Sequence, residues 1–476
     1  MQKFRSTPNL GIQPMRLQDF ISTKLYYPLL FPLISTPKNP VRWRIRGMAR
    51  EIEALMRQPL GEIERHQAER IHELLVFAAR HCEFYRTRFA GVGLTEERDL
   101  TVENLELVPV LTKQEVQQHF ESLLASGVSR ITWRQNSSGG STGQTVVLMQ
   151  DAAYREELDA TTFVSDRMQG WDFGNRVALL WGGPNDTRTW GNAKVRILSY
   201  LSNRRLYDSF DMSAAKMGLY HHDLQRYQPD NIVAYAGSAY LFARFLLEQQ
   251  LRPQYPRGSI ITSAETLTDE MRTSIEQCFR VPVYNRYGSR EVGCLASECS
   301  RRSGFHLQID KIMEVLDLQT GRPVFDTPGR IIVTLLSNRA LPLIRYDLGD
   351  VGVLTHKPCI CGVNTPLLEK VLGRSSDFIL APSGRLIHGE YFTHVFYGRR
   401  TIKQFQFVQE SRTHYVVRIV ATGELTAGHL DDIRQEIMAV LGSNADVRFE
   451  FQEHIPPLPS GKFRFTISNV KLAWGA

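Results

Sequence analysis

The stretch Ser137-Ser138-Gly139-Gly140-Ser141-Thr142-Gly143-Gln144-Thr145 gathers small and hydroxyl-bearing residues into one loop. Small side chains let successive backbone N–H groups turn inward and hydroxyls add donors, so such a loop can wrap a polyphosphate; the same composition also makes a plain hairpin loop. A Walker-type loop would end in a Gly-Lys pair opening a helix, and no such pair closes this one. Four clusters follow: Tyr287-Gly288-Ser289-Arg290-Glu291, Ile344-Arg345-Tyr346-Asp347-Leu348-Gly349-Asp350, Gly373-Arg374-Ser375-Ser376-Asp377 and Pro459-Ser460-Gly461-Lys462. Taken singly, each reads as a turn carrying solvated charge, with Asp350 as an ordinary Gly-Asp turn residue and Lys462 as an exposed lysine. Cys299, His306, Cys359 and Cys361 form a separate set. Three thiolates and an imidazole suit tetrahedral Zn²⁺, although Cys-x-Cys is tighter than the common finger spacing, so four unmetallated side chains stay an equal alternative.

The elements that must position these groups follow from apolar periodicity. After Asn136, strand-like runs at Val177–Trp181, Ile232–Tyr235 and Ser259–Thr262 alternate with helical patterns at Tyr240–Gln249 and Thr268–Phe279, which predicts parallel βαβ units. The Gly/Ser loop is expected between a strand at Ser129–Trp133 and a following strand. Ile312–Asp317, Gly329–Leu336 and Val351–Leu354 predict antiparallel strands with turns at Thr320-Gly321 and Thr327-Pro328-Gly329. Helical spacing of Ile63, Ile71, Leu74, Leu75 and Ala78 places helices ahead of this core. The last hundred residues begin a new strand–strand–helix–strand pattern. The expected class is therefore α/β: an N-terminal arm over 1–47, a large domain over 48–372, a polar joining turn at 373–377, and a small α+β domain over 378–476.

In this order and at these separations, the clusters resemble the adenylate-forming superfamily of acyl-CoA ligases. The nearest branch is that of the phenylacetate-CoA ligases and the CapK-type capsular polysaccharide biosynthesis proteins grouped with them. The resemblance runs from His81-Cys82-Glu83-Phe84-Tyr85-Arg86 to Phe465. It implies a large domain with parallel sheets and a swinging C-terminal domain. Residues Ser138, Gly139, Gly140, Ser141, Thr142 and Gly143 would hold ATP phosphates, although the loop lacks the family's following basic residue and Thr145 replaces a usual proline. Ala264 and Glu265 would border adenine, with Thr266 in place of a proline; Tyr287, Gly288 and Ser289 would carry the stacking ring. Glu291 would hold Mg²⁺, Asp350 the ribose hydroxyls, and Arg374 the ribose and phosphate region, with Asp377 as the pivot. Lys462 would be the catalytic cation. By position, Trp181, Gly182, Tyr235, Gly237, Ser238 and Arg286 would line the acyl pocket, whose aromatics suit an aryl or apolar acid; Arg286 could instead meet a second carboxylate or polar substituent. Some relatives carry cysteines and a histidine near the four zinc candidates.

The implied reaction is ATP-dependent formation of acyl-AMP with release of pyrophosphate, followed by transfer to a thiol, coenzyme A by family default. Transfer to a carrier protein, hydroxyl or amine in surface-glycan or secondary-metabolite biosynthesis is the alternative, as is a non-catalytic nucleotide-binding partner protein. Composition limits the rest: 42% apolar and 22% charged residues in 476 describe an ordinary globular chain. A net charge of +7 without a Lys/Arg run excludes a nucleic-acid patch. Six cysteines are too few for a disulfide scaffold, which points to a reducing cytoplasmic compartment. The apolar stretch Leu25–Ile34 contains Pro28 and Pro32 and is too short to span a bilayer. The arm is expected to be irregular and packed on the main domain, with weak membrane-surface contact as the alternative. A homodimer is carried as an open expectation.

Overall fold

The computed structural model of the chain describes residues 17–30, 42–137, 146–182, 193–209, 212–374, 378–396, 399, 401–423, 425–456 and 464–470. Among these, eleven strands of the large domain form one sheet whose character changes midway. Its parallel part has the order β4 (Arg204–Asp208), β3 (Val177–Trp181), β5 (Asn231–Tyr235), β6 (Ser259–Ser263), β7 (Val283–Ser289). From β7 onward the neighbours are antiparallel: β8 (Gly293–Glu298), β9 (Phe305–Leu307), β13 (Leu367–Arg374), β12 (Tyr346–Thr355), β11 (Gly329–Leu335), β10 (Lys311–Asp317). The strand order reverses between β3 and β5, and in parallel sheets the crevice at such a reversal is where ligands bind.

Both faces of the parallel part are covered, which is why its strands are continuous apolar runs rather than alternating ones. On one side, Ala178, Leu180, Ile232, Ala234 and Ile260 pack against Phe242 and Leu246 of helix Ala236–Glu248 and Ile275 and Phe279 of helix Asp269–Phe279. The first of these helices buries Ala236, Ala239, Phe242, Ala243 and Leu246 at helical spacing; the second is capped by Thr268, whose side chain accepts from the N–H of Met271. On the other side, Val177 and Ile261 pack against Phe163 of helix Ala152–Met168, Trp171, and Ile45 and Ile52 of helix Arg42–Leu55.

Two expectations need correction. Ser129–Trp133 is not a strand: the N–H of Trp133 bonds back to the carbonyl of Arg130 at 3.1 Å and its ring is buried, so the chain turns there. The strand leading into the Gly/Ser loop is β1 (Arg134–Ser137), paired with β2 (Val147–Gln150). The arm is helical rather than irregular over Leu17–Phe20 and Ile21–Leu30. It packs on the large domain, with Tyr26 buried and Asp19 accepting from Arg176 Nε at 2.7 Å. Arm residues 1–16 and 31–41 lie outside the described residues.

The C-terminal residues make a hairpin, Phe378–Leu380 with Leu386–His388, and a four-stranded sheet in the order Asp446–Phe451, His414–Ala421, Ile402–Gln409, Thr466–Ser468. Helix Ala427–Leu441 lays Ile433, Ile437 and Leu441 on the core of this sheet and is capped by Thr426. None of the helices among the described residues is long and apolar enough to cross a membrane.

The segment leading into Asp350 is anchored by one buried tyrosine. Tyr85 Oη donates to the carbonyl of Pro342 at 2.9 Å and accepts from the N–H of Ile344 at 3.1 Å, with the ring 0% exposed. Tyr85→Phe removes both partners at once, so we expect a loss of about 1–3 kcal/mol, read as a lower urea midpoint at unchanged slope.

Candidate active site

Tyr287 on β7 and Asp350 on β12 are separated by four interstrand steps, which in a flat sheet would be about 19 Å. Yet Tyr287 Oη donates to Asp350 Oδ2 at 2.7 Å. The sheet must therefore curl between β7 and β12, and the curl brings together two of the sequence clusters. The tight turn into β8 assists it: a Cβ on Gly288 would stand 2.3 Å from the carbonyl oxygen of Gly293, so only glycine fits there. Asp350 is buried, and its cross-strand partner in β12–β13 is Arg374. The nearby Asp347 is occupied otherwise, accepting from the N–H of Gly349 at 2.8 Å and from Arg330 at 3.2 Å.

Glu291 lies just past the end of β7 with 12% of its side chain exposed, and Lys113 Nζ is 3.7 Å from its Oε1. Sequence reading did not single out Lys113, but a signal was present. Thr112-Lys113-Gln114-Glu115 is a capping box, formed here with the Thr112 side chain accepting from the N–H of Glu115 and the Glu115 carboxylate accepting from that of Thr112. A lysine in a first helical turn is disfavoured by the helix dipole, so an acidic partner such as Glu291 is what its position calls for. Asn136, at the root of the Gly/Ser loop, donates to the carbonyl of Arg290 at 2.9 Å, which places that root beside Glu291. Ser289 Oγ is buried with no hydrogen-bond partner among the described residues.

The strand ends at the β3/β5 reversal carry the expected pocket residues. Trp181 and Tyr235 stack with ring centroids 4.1 Å apart, and Tyr235 Oη donates to the carbonyl of Gly182 at 3.2 Å. Gly237 and Ser238 are in the first turn of the following helix. The Glu265 carboxylate accepts from the N–H of Gly237 at 2.8 Å, so it binds that helix N-terminus to the end of β6. Ala264 reaches it with φ +69°, a left-handed conformation costly for a residue with a Cβ. Arg286, for which a second carboxylate or a polar substituent was the alternative partner, donates to Asp166 Oδ1 at 2.8 Å, with both side chains largely buried. No local pattern could have disclosed this partner, 120 positions away on helix Ala152–Met168.

The zinc candidates converge. Cys299 follows β8, His306 is in β9, Cys359 and Cys361 lie between β12 and β13, and their ligand atoms all fall within 4.8 Å of one another. Cys299 and Cys359 Sγ are 3.7 Å apart, and Cys361 Sγ is 3.2 Å from His306 Nε2. Two sulfurs at about 2.3 Å from a tetrahedral zinc would be about 3.8 Å apart, so the donor set fits Zn²⁺ in both chemistry and spacing. Thr365 Oγ1 stands 3.5 Å from His306 Nδ1.

Ser138, Gly139, Gly140, Ser141, Thr142, Gly143, Asp377 and Lys462 lie outside the described residues, and of Arg374 only the backbone is described.

Comparison with known proteins bears on most of the chain. The CapK C-terminal domain family matches residues 379–469. Protein CapK of Staphylococcus aureus is 25% identical over 417 residues, covering 85% of this chain and 89% of its own. A phenylacetate-coenzyme A ligase of Thermus thermophilus is 23% identical, covering 69% of this chain and 74% of its own. Among solved structures, 2-hydroxyisobutyryl-CoA ligase in its postadenylation state shares the fold with a TM-score of 0.68 at 18% identity, covering 87% of this chain and 90% of that one. These likenesses support the resemblance drawn from the sequence, to the adenylate-forming superfamily and its phenylacetate-CoA ligase-like branch with CapK.

Proposed function

We propose that the protein is an AMP-forming acid–thiol ligase. The observation that carries the reading is the 2.7 Å bond between Tyr287 and Asp350, which joins the ring proposed to stack on adenine to the carboxylate proposed to hold the ribose. Similarity to coenzyme A ligases supports it. A substrate carboxylate oxygen attacks the α-phosphorus of ATP, a new P–O bond forms, the bond to the bridging oxygen breaks, and pyrophosphate leaves. Glu291 would hold Mg²⁺, which would supply charge stabilisation at the phosphates; Lys113 adds positive charge beside Glu291, and the 138–143 loop supplies hydrogen-bond donors. Lys462, delivered by the small domain turning about 373–377 with Arg374 following the ribose, stabilises the crowded negative charge of the transition state. A thiolate, that of coenzyme A, then attacks the acyl carbonyl and AMP departs.

Pyrophosphate release from MgATP across a panel of acids, with and without coenzyme A, tests the reading: acid-dependent release is expected, with coenzyme A consumed as thioester forms. Lys462→Ala should lower adenylate formation by about 100- to 1,000-fold while ATP still binds; unchanged turnover would remove the lysine from its role and favour the non-catalytic reading. Tyr287→Phe keeps the ring but removes the hydroxyl that orients Asp350, so KM for ATP should rise by about 10-fold with a smaller effect on kcat. An unaltered KM would dissociate the pair from nucleotide binding.

We further propose that Cys299, His306, Cys359 and Cys361 hold a structural Zn²⁺ that ties the end of β8 to the β12–β13 connection, close to the strands that carry Asp350 and Arg374. Protein purified without added metal should contain about one zinc per chain, and Cys359→Ser should lose both the metal and thermal stability. Metal-free protein with an unchanged melting temperature would rule the site out.

A further inference from the structure

A cavity of about 320 Å³ lies between the covering helix Ala152–Met168 and the parallel strands. Val177, Leu179, Val233 and Ile261 on its sheet side belong to the face that carries Trp181 on β3, Tyr235 on β5 and Ser263 on β6, two residues further along where the face reaches the strand ends. It therefore lies beneath the same sheet face as the strand ends at the β3/β5 reversal. Arg286, the cross-strand partner of Ser263, also lines it.

Val177, Leu179, Val233 and Ile261 give the cavity an apolar floor, but its lining is not hydrocarbon alone. Two acidic and two basic side chains line it: Asp159, Asp166, Arg204 and Arg286. Asp166 and Arg286 are paired at 2.8 Å. Arg204 Nε is buried and has no hydrogen-bond partner among the described residues, and Thr162 and Ser202 add hydroxyls. Aromatic surface comes from Phe163 and Trp171, stacked with centroids 5.4 Å apart. Burial raises the Asp166 carboxyl above its ordinary range, and the nearby Arg286 and Arg204 guanidinium groups pull it back.

A charge set that balances itself favours neither a second carboxylate nor an ammonium, because either would leave one of the buried charges opposed. Donors and acceptors in equal supply fit groups that do both, and these are hydroxyls. We infer that this cavity receives the acid and selects a carboxylic acid bearing two or more hydroxyl groups on a compact or ring-shaped body over its hydrocarbon counterpart. The inference rests on the ligase reading and goes beyond it in naming the substrate class.

The test compares pyrophosphate release by the full chain on matched acids: quinate against cyclohexanecarboxylate, and 3,4-dihydroxybenzoate against benzoate. A site built to hydrogen-bond hydroxyls discriminates strongly against analogues lacking them, so kcat/KM should favour the hydroxylated member of at least one pair by about 10-fold or more. Removing Arg286 or Asp166 alone strands a buried charge, so the informative variant is the double one, Asp166→Leu with Arg286→Met; it should lose or invert that preference. If that variant does not fold, the wild-type comparison decides alone. Equal or better turnover of the hydrocarbon acids by wild type overturns the inference and leaves the ligase reading standing. Release from none of the acids overturns both.

Discussion

The bond between Tyr287 and Asp350 is the constraint on which the site depends, because it can form only if a sheet of two different kinds bends back on itself. The parallel part, wrapped by crossover helices, presents strand ends around a crevice, as doubly wound sheets do. The antiparallel part, continued from β8 by tight connections, returns a strand close enough for a side chain to reach across. Glycine at 288 is the local condition, since any Cβ there would collide with the Gly293 backbone. Everything proposed about nucleotide binding follows from that closure: the ring, the carboxylate and Glu291 share one neighbourhood only because β7 and β12 do.

Buried charge holds the same neighbourhood in place. Arg345, immediately before β12, adopts φ +52° and is 4% exposed. Its guanidinium donates to the carbonyls of Glu106 and Val108, both at 2.7 Å, and pairs with Glu314 on β10 at 2.8 Å. A left-handed backbone on a non-glycine residue persists where its surroundings over-determine it, and these contacts, with the Tyr85 hydroxyl beside them, do so. Arg272 on helix Asp269–Phe279 holds Glu298 at 2.7 Å, and Glu298 in turn accepts from the N–H of Asn285 at 2.7 Å. Strain and paired charge thus fix the segments on either side of the site, while the acid-side cavity carries its own balanced set.

Much of the fold was legible in the sequence because the parallel strands are buried on both faces. Val177–Trp181 is a continuous apolar run bounded by polar turns, and the helices that follow β5 and β6 show helical spacing; the second has a recognisable start at Thr268, whereas the first begins at Ala236, four residues before the expected Tyr240 and without a side-chain cap. Helix Ala427–Leu441 was legible for the same reason, with Thr426 as its cap. Ser129–Trp133 misled because Ile131 and Trp133 suggest a strand, whereas the Trp133 ring is buried through a turn. The helix Ala152–Met168 was harder to read, since its buried residues include Arg155, Glu156, Glu157 and Asp166, polar positions that mask an amphipathic pattern.

The sequence by itself determined which residue types were present for adenylation, their order, and the alternation of strands and helices, since propensity, periodicity and turn chemistry act over a few neighbouring residues. Tertiary structure alone decided which groups meet. Tyr287 reaches Asp350, Lys113 reaches Glu291, Asp166 claims Arg286, and the three cysteines and one histidine proposed as zinc ligands gather within 4.8 Å. These are contacts across 55 to 178 positions of chain, from His306–Cys361 to Lys113–Glu291. They are set by the curl of a sheet and the packing of a helix over it, which no local stretch of sequence encodes.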